Sequence, residues 1–268
     1  MVEHPEMPVV LTIATSDSGA GAGVQADLKA IAARGAFGVC AFAGLTAQNP
    51  GEVRAIKALS PKFLRQQLET LADYFEIKAV KTGMLVNAEL IAESVRFLKR
   101  MDVPIIVDPV MVSSSGAVLL EPEALETLQD ALFPLADVLT PNLDEAGSLI
   151  GAEIGGLEDM RGVCRRLVTQ YDTSVLLKGG HLEGDQCIDL LLLPDGTQKT
   201  FTANRQQGVN THGSGCTLAS AIAAEQAHGR DIVSAVDRAH RYLQAAFATP
   251  LLIGKERFLN PFANPAPA

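Results

Sequence analysis

The chain has 268 residues, 47% of them hydrophobic and 20% charged, enough apolar material for a sizeable core and too little charge for a disordered polypeptide. Its 31 acidic against 22 basic side chains leave a formal net charge of -9, which opposes phosphate-backbone binding and sets nucleic acid aside as a partner. No run reaches the ~18 apolar residues of a membrane span, and MVEHPEMPVV carries Glu3 and Glu6 with no basic stretch, so the expectation is a cytoplasmic protein without a membrane partner.

Strand-like and helix-like segments alternate along the whole chain with no Pro/Ser/Gly-rich linker, which predicts one α/β domain over residues 1–268. Val9 to Ala14 reads as a buried strand, and glycines 19, 21 and 23 lead into a helix over Val24 to Arg34. Gly38 to Leu45 is a second strand, and Val53 to Leu59 alternates as a half-exposed edge strand. Pro61 opens a helix to about Phe75. Then come strand Ala79 to Thr82, helix Ala88 to Arg100, strand Pro104 to Val107, helix Pro122 to Phe133, strand Val138 to Leu139, and a helix over Leu143 to Ile150. Helix Glu158 to Gln170 and strand Ser174 to Leu177 precede two antiparallel strands, Cys187 to Leu193 and Gln198 to Thr202. Helices over Cys216 to His228 and Ile232 to Ala248 close the fold, and residues from about 255 to 268, ending in FLNPFANPAPA, read as a partly mobile tail.

Ligands of open α/β sheets bind at the carboxyl ends of strands, and the informative residues lie there. The loop SDSGAGAG, Ser16 to Gly23, lacks the dinucleotide spacing because Val24 stands where a glycine is needed. Its Asp17 is a carboxylate among small residues, able to receive a polar molecule. NTHGSGCT, Asn210 to Thr217, precedes an alanine-rich helix. Glycines 213 and 215 let backbone amides converge there with the positive end of the helix dipole, which makes an anion hole. Cys216 at that helix start sits where a thiolate is favoured, whereas Cys40, Cys164 and Cys187 read as buried packing. Asp108 in DPVM and Asn142 and Glu145 in TPNLDE follow apolar strands; the last two suit a helix cap as well as a ligand site, and the carboxylates suit Mg²⁺, which needs few protein ligands. In LKGGH, Lys178 can place a point charge beside a polyphosphate, while His181 and His212 read as structural loop residues.

Taken together, TIATSDSGAGAGVQADLKA, GLTAQN, KTGML, VDPVMVSSSG, LFPLADVLTPNLDEA, LLKGGHLEG and NTHGSGCTLASAIAA resemble the ribokinase-like superfamily, and within it the bacterial hydroxymethylpyrimidine/phosphomethylpyrimidine kinases of thiamine biosynthesis. The pieces occur in the family's order from Leu11 to about Ala224. The resemblance implies a three-layer sandwich, with a mostly parallel central sheet, an antiparallel edge and helices on both faces. It implies phosphorylation of 4-amino-5-hydroxymethyl-2-methylpyrimidine by Mg²⁺ and ATP, then of its monophosphate to the diphosphate, by a homodimer. By the same resemblance Gln48 reads the pyrimidine edge. Ala22, Gly23, Thr46, Met84 and Val110 line the pocket with Asp17, and Asp27 is a nearby acid. ATP lies between Lys178 and the loop of Thr211, Gly213, Ser214, Gly215 and Cys216, with Asn142 on the nucleotide and Asp108 and Glu145 around the metal. Cys216 takes the place of the catalytic aspartate of ribokinase.

Four departures from the family pattern stand out: Thr15 for a usual glycine, Ser214 for a threonine, Gly208 before NTH, and IGKERFLNPF for a glycine- and histidine-rich end. Thr15 is expected to narrow the substrate pocket. Two alternative functions are a pyridoxal kinase, separable by a substrate panel, and a non-enzymatic pyrimidine-binding protein, against which the GSGC loop and Lys178 argue.

Overall fold

The computed structural model describes residues 6–111, 120, 122–180, 182 and 184–263. Its nine-stranded sheet runs in the order β3-β2-β1-β4-β5-β6-β7-β8-β9. Strands β1 (Val9–Asp17), β2 (Phe37–Asn49), β4 (Ile77–Thr82), β5 (Ile105–Val107), β6 (Val138–Leu139) and β7 (Ser174–Lys178) are parallel. The edge strand β3 (Glu52–Ala58) and the pair β8 (Gln186–Leu192) and β9 (Gln198–Asn204) are antiparallel to their neighbours.

Side-chain alternation along the strands sorts the core into two layers. Leu11, Ile13, Val107 and Leu177 face α2 (Pro61–Ala72), α3 (Ala88–Leu98), α5 (Leu143–Ile150) and α6 (Leu157–Tyr171). Val10, Ala79, Ile106 and Leu176 face α1 (Gly23–Ala33), α7 (Ser214–Ala227) and α8 (Ile232–Ala248). This is the expected sandwich, and it turns the carboxyl ends of the six parallel strands β1, β2, β4, β5, β6 and β7 toward one edge. Helix α7 packs against β1, β4 and β5 with its amino end at that edge. Its alanines 219, 221, 223 and 224 are fully buried, and their small side chains permit the close approach.

The structure corrects several boundaries. Strands β1 and β2 continue to Asp17 and Asn49 because Ser16 and Asp17 pair with Leu45 and Thr46, while Thr46 to Asn49 pair with β3. Gln48 therefore stands on a strand. The helix from Pro122 ends at Thr127 (α4) and continues as a π turn over Leu128–Leu132 and a 3-10 turn over Phe133–Leu135, where Pro134 offers no amide. Cys40 and Cys187 are half-buried and only Cys164 is buried. The expected tail is packed as far as Ala263. A hairpin of β10 (Leu251–Ile253) and β11 (Glu256–Phe258) is tied to the 210 loop by Asn210 N donating to Arg257 O, and Tyr242 Oη donates to Pro261 O at 2.8 Å. His181, the VSSSG stretch and the last five residues lie outside the described residues.

Candidate active site

At the end of β1 the chain turns on one carboxylate. Asp17 Oδ1 accepts the Gly19 amide at 2.8 Å, and Oδ2 accepts those of Gly21 at 3.1 Å and Ala22 at 2.8 Å. His212 Nε2 lies 2.9 Å from the same Oδ2. Burial alone would raise the Asp17 carboxyl, but the hydrogen bonds from His212, Ala22 and Gly19 outweigh it, and the net shift is downward. Asp17 is therefore an ionised organiser of the loop, with both oxygens engaged. Gly23, at φ +57°, has no room for a Cβ, which would lie 2.4 Å from Thr15 O. Thr15 itself donates to Met84 O at 2.9 Å, so this departure from the family pattern ties β1 to the segment after β4.

The 210 loop comes down on this turn. Gly213 caps α7 at φ +80°, and a Cβ on it would lie 1.8 Å from Gly21 O, so the two glycine loops meet backbone to backbone. The Ser214 amide donates to Thr211 O and the Thr217 amide to Gly213 O, which leaves the amides of Gly215 and Cys216 as the helix's outward donors. Of the donors expected for an anion hole, the Ser214 amide is therefore already engaged within the loop.

Facing these amides is an acid–lysine cluster. Lys178 Nζ donates to Asp108 Oδ1 at 3.0 Å, and Thr140 Oγ1 lies 3.2 Å from the same oxygen. A Cβ on Gly215 would stand 3.1 Å from Lys178 Nζ and 3.6 Å from Asp108 Oδ2, so glycine there keeps open the space where the groups converge. Asn142 and Glu145 form a reciprocal capping box at the start of α5, so the capping role is real and Asn142 Oδ1 is spent on the Glu145 amide. Burial pushes the Glu145 carboxyl up to about 7; Lys178 opposes the shift and Asp108 adds to it. Lys178 is itself raised, since Asp108 and Glu145 outweigh the burial that would lower it.

Beneath Cys216 lies a second cluster that sequence reasoning missed. Lys81, fully buried on β4, donates to both oxygens of Asp27 at 2.9 and 3.0 Å. Thr12 Oγ1 and Ser220 Oγ add bonds to that carboxylate at 2.6 and 2.8 Å. Asp27, expected as an acid near the substrate, is fully buried with both oxygens bonded to Lys81, Thr12 and Ser220. A lysine in the apolar strand run AVKT was the available signal, because a buried ammonium requires a carboxylate partner.

The Cys216 thiol departs from expectation. Burial pushes it up to about 12, with Asp27 and Asp108 adding to the shift and Lys81 and the Gly23 amide opposing it. The helix terminus does not overcome burial and the neighbouring carboxylates, and the resting group is a thiol. Gln48 Oε1 and Nε2 lie 3.0 Å from Thr46 Oγ1 and 3.4 Å from His212 Nε2, and its backbone is clamped by Ser18. Met84 is buried and Val110, half-buried, follows Asp108 in a tight turn. Thr211 is exposed. A cavity of about 630 Å³ opens beside His212, lined by Gly21, Asn49, Leu251 and Phe258 among others, and its walls include neither Lys178 nor Cys216.

No helix among the described residues is long and apolar enough to cross a membrane. The description of phosphomethylpyrimidine kinases matches residues 17–260. A hydroxymethylpyrimidine/phosphomethylpyrimidine kinase of Haemophilus influenzae is 42% identical, covering 92% of this chain and 93% of that one. A thiamine biosynthesis bifunctional protein of Geobacter sulfurreducens is 43% identical over 92% of this chain, which spans half of that longer protein. Among solved structures, a phosphomethylpyrimidine kinase of Clostridium difficile superposes with TM-score 0.78 at 39% identity, covering 88% of this chain and 97% of that one. A pyridoxal kinase of Staphylococcus aureus, in complex with AMP-PCP and pyridoxal, superposes with TM-score 0.87 at 30% identity, covering 96% and 94%. The chain has the ribokinase-like fold and belongs to the phosphomethylpyrimidine kinase family.

Proposed function

We propose that this chain, as a hydroxymethylpyrimidine/phosphomethylpyrimidine kinase of thiamine biosynthesis, moves the γ-phosphoryl group of ATP first to the alcohol of 4-amino-5-hydroxymethyl-2-methylpyrimidine and then to the resulting monophosphate. The observation that carries the division of labour is that the paired Lys178 and Asp108 stand directly against Gly215 in the first turn of α7, where the amides of Gly215 and Cys216 lie. Charge on a transferring phosphoryl group spreads over its equatorial oxygens, and preorganised donors facing it are worth most. Lys178 supplies the point charge and the two amides supply directed donors. Gln48, with Thr46, Met84 and Val110, holds the pyrimidine over the first loop, and Asn142 and Thr211 border the nucleotide.

Asp108 and Glu145 suit Mg²⁺. Two acids share one lysine there, and Mg²⁺ needs only one or two carboxylates because it keeps most of its waters. When bound, the ion neutralises phosphate charge; Asp108 and Glu145 are the residues that would hold it.

The two steps ask different things of Cys216. An alcohol must lose a proton as it attacks, whereas the monophosphate is already anionic near neutral pH. Cys216 is the base candidate for the first step only. The proposal extends to a cytoplasmic homodimer, which light scattering of the purified protein tests for assembly. The functional test is product analysis with ATP: the aminopyrimidine alcohol should yield the monophosphate and then the diphosphate. Turnover of pyridoxal alone would replace this reading with the pyridoxal kinase one, which the 0.87 superposition on a pyridoxal kinase gives reason to include.

A further inference from the structure

Four polar contacts meet around the Gln48 carboxamide, and their donors and acceptors decide which way the amide faces. Thr46 Oγ1 lies 2.9 Å from Ser16 O and 3.0 Å from Gln48 Oε1, yet a hydroxyl has one hydrogen. The Ser16 carbonyl can only accept, so the hydrogen goes there, and the amide end beside Thr46 must be a donor. On the other side, His212 Nε2 lies 2.9 Å from Asp17 Oδ2 and 3.4 Å from Gln48 Nε2. Asp17 already accepts three backbone amides and is ionised, so its short contact requires a hydrogen on His212 Nε2, as in the Nε2–H tautomer or the imidazolium. An amide N–H beside His212 would oppose that hydrogen, so the amide oxygen is the better end there. Oxygen and nitrogen of a carboxamide have nearly the same shape, and the network assigns them. Turning the amide half a rotation, with Nε2 toward Thr46 and Oε1 toward His212, gives Thr46 a donor and removes the donor–donor opposition at His212, whose single Nε2 hydrogen stays on Asp17 and reaches Oε1 only as a longer, shared contact.

We infer that Thr46 and His212 are specificity-determining positioning residues, which lock the Gln48 carboxamide with its N–H on the Thr46 side and its oxygen on the His212 side. The inference rests on the reading that Gln48 meets the ring. A carboxamide free to turn accepts either hydrogen-bonding edge of a heterocycle. A locked one accepts only an edge that offers a ring-nitrogen acceptor to the N–H and an exocyclic amino donor to the oxygen. That is a 4-aminopyrimidine. The 4-oxo analogue presents a ring N–H and a carbonyl, the inverted pattern, and sets donor against donor. The backbone clamp by Ser18, which donates to Gln48 O at 2.7 Å and accepts from Gln48 N at 2.8 Å, prevents the strand from shifting to rescue the mismatch.

The experiment is calorimetry of the full chain, without nucleotide, against 4-amino-5-hydroxymethyl-2-methylpyrimidine and its 4-oxo analogue. The native protein should prefer the amino compound by roughly 10²-fold, since a site built for one hydrogen-bond pattern rejects its mismatch strongly. Thr46→Val keeps the shape and frees the amide on its stronger side, so the ratio should fall below about tenfold. His212→Ala should lower the ratio less, and the double variant should bring it near unity. A merely structural role would weaken both ligands in parallel and leave the ratio unchanged, which would overturn the inference. So would a native ratio near one. Failure of the native protein to bind either compound would instead remove Gln48 from the substrate site and take the underlying reading with it.

Discussion

Two lysine–carboxylate clusters flank Cys216, built from the same residue types and put to different use. In the inner one, Lys81 and Asp27 are both fully buried, and Thr12 and Ser220 complete the carboxylate's bonds. In the outer one, Lys178 keeps 15% of its side-chain surface exposed and serves two acids, Asp108 and Glu145. The inner charges balance one to one and are closed off. The outer cluster has an acid in excess, one carboxyl pushed up to about 7, and a glycine-wide opening toward the α7 amides. Excess charge with access, rather than the residue types alone, is why we propose the outer cluster as the working one. The inner pair holds β4 to α1 and supports the floor beneath it.

Removing one partner of the inner pair should have the largest effect. Lys81→Met leaves Asp27 buried and unpaired, so urea unfolding should show a loss of about 3 to 5 kcal/mol. Adding Asp27→Asn should recover most of it. A Lys81→Met protein of native stability would mean the pair is not a structural unit. In the outer cluster, Lys178→Met should cost catalysis instead. A fall in kcat of about 10² to 10³ is expected for the loss of a donor to the transferring group, with the circular dichroism spectrum retained because Glu145 can hold its proton.

The raised Glu145 carboxyl sharpens the comparison through pH. Its proton is held more tightly in the folded chain, up to about 7 against an ordinary 4.5. The associated stability is fully present below about pH 4.5. It declines by up to roughly 3 kcal/mol as pH rises to 7, where the folded group also ionises. Subtracting the profile of Glu145→Gln, which lacks this group, should isolate that slope; parallel profiles would show that the outer carboxyl is not perturbed.

Cys216→Ala should slow single-turnover phosphorylation of the alcohol by about 10², the low end for a base because a thiol near 12 offers little thiolate. The phosphate step should lose much less. Equal losses would assign Cys216 to positioning. Gln48→Ala should weaken the pyrimidine by roughly 1 to 3 kcal/mol and leave AMP-PCP affinity unchanged in calorimetry.

The sequence made most strands and the outer cluster legible because each strand's apolar run ends abruptly in the polar residue that matters: Asp108 after IIV, Lys178 after SVLL, Asn142 after VLTP. What it hid depended on partners distant in the chain. Thr46 to Gln48 look like a loop until β3 pairs with them, and Glu256 to Phe258 look like a tail until the 210 loop takes Arg257 O as its acceptor. Lys81 pairs with a residue 54 positions away, and Asp17 looks like an open carboxylate until Gly19, Gly21, Ala22 and His212 fill it. Periodicity reports burial along one element and carries no information on which polar atoms meet between elements. The thiol of Cys216 misled for a related reason, since the helix terminus is local and visible whereas its burial and the nearby Asp27 and Asp108 come from elements distant in the chain.

The central claim is that the outer cluster transfers the phosphoryl group and the inner one only holds the floor. The most direct measurement is kcat for the pyrimidine alcohol, at saturating Mg²⁺ and ATP, in two folded variants side by side: Lys178→Met and the charge-neutral pair Asp27→Asn with Lys81→Met. The account predicts a loss of about 10² to 10³ in the first and less than about tenfold in the second. Near-native turnover by Lys178→Met, or a collapse of turnover in the stable double variant, would contradict it.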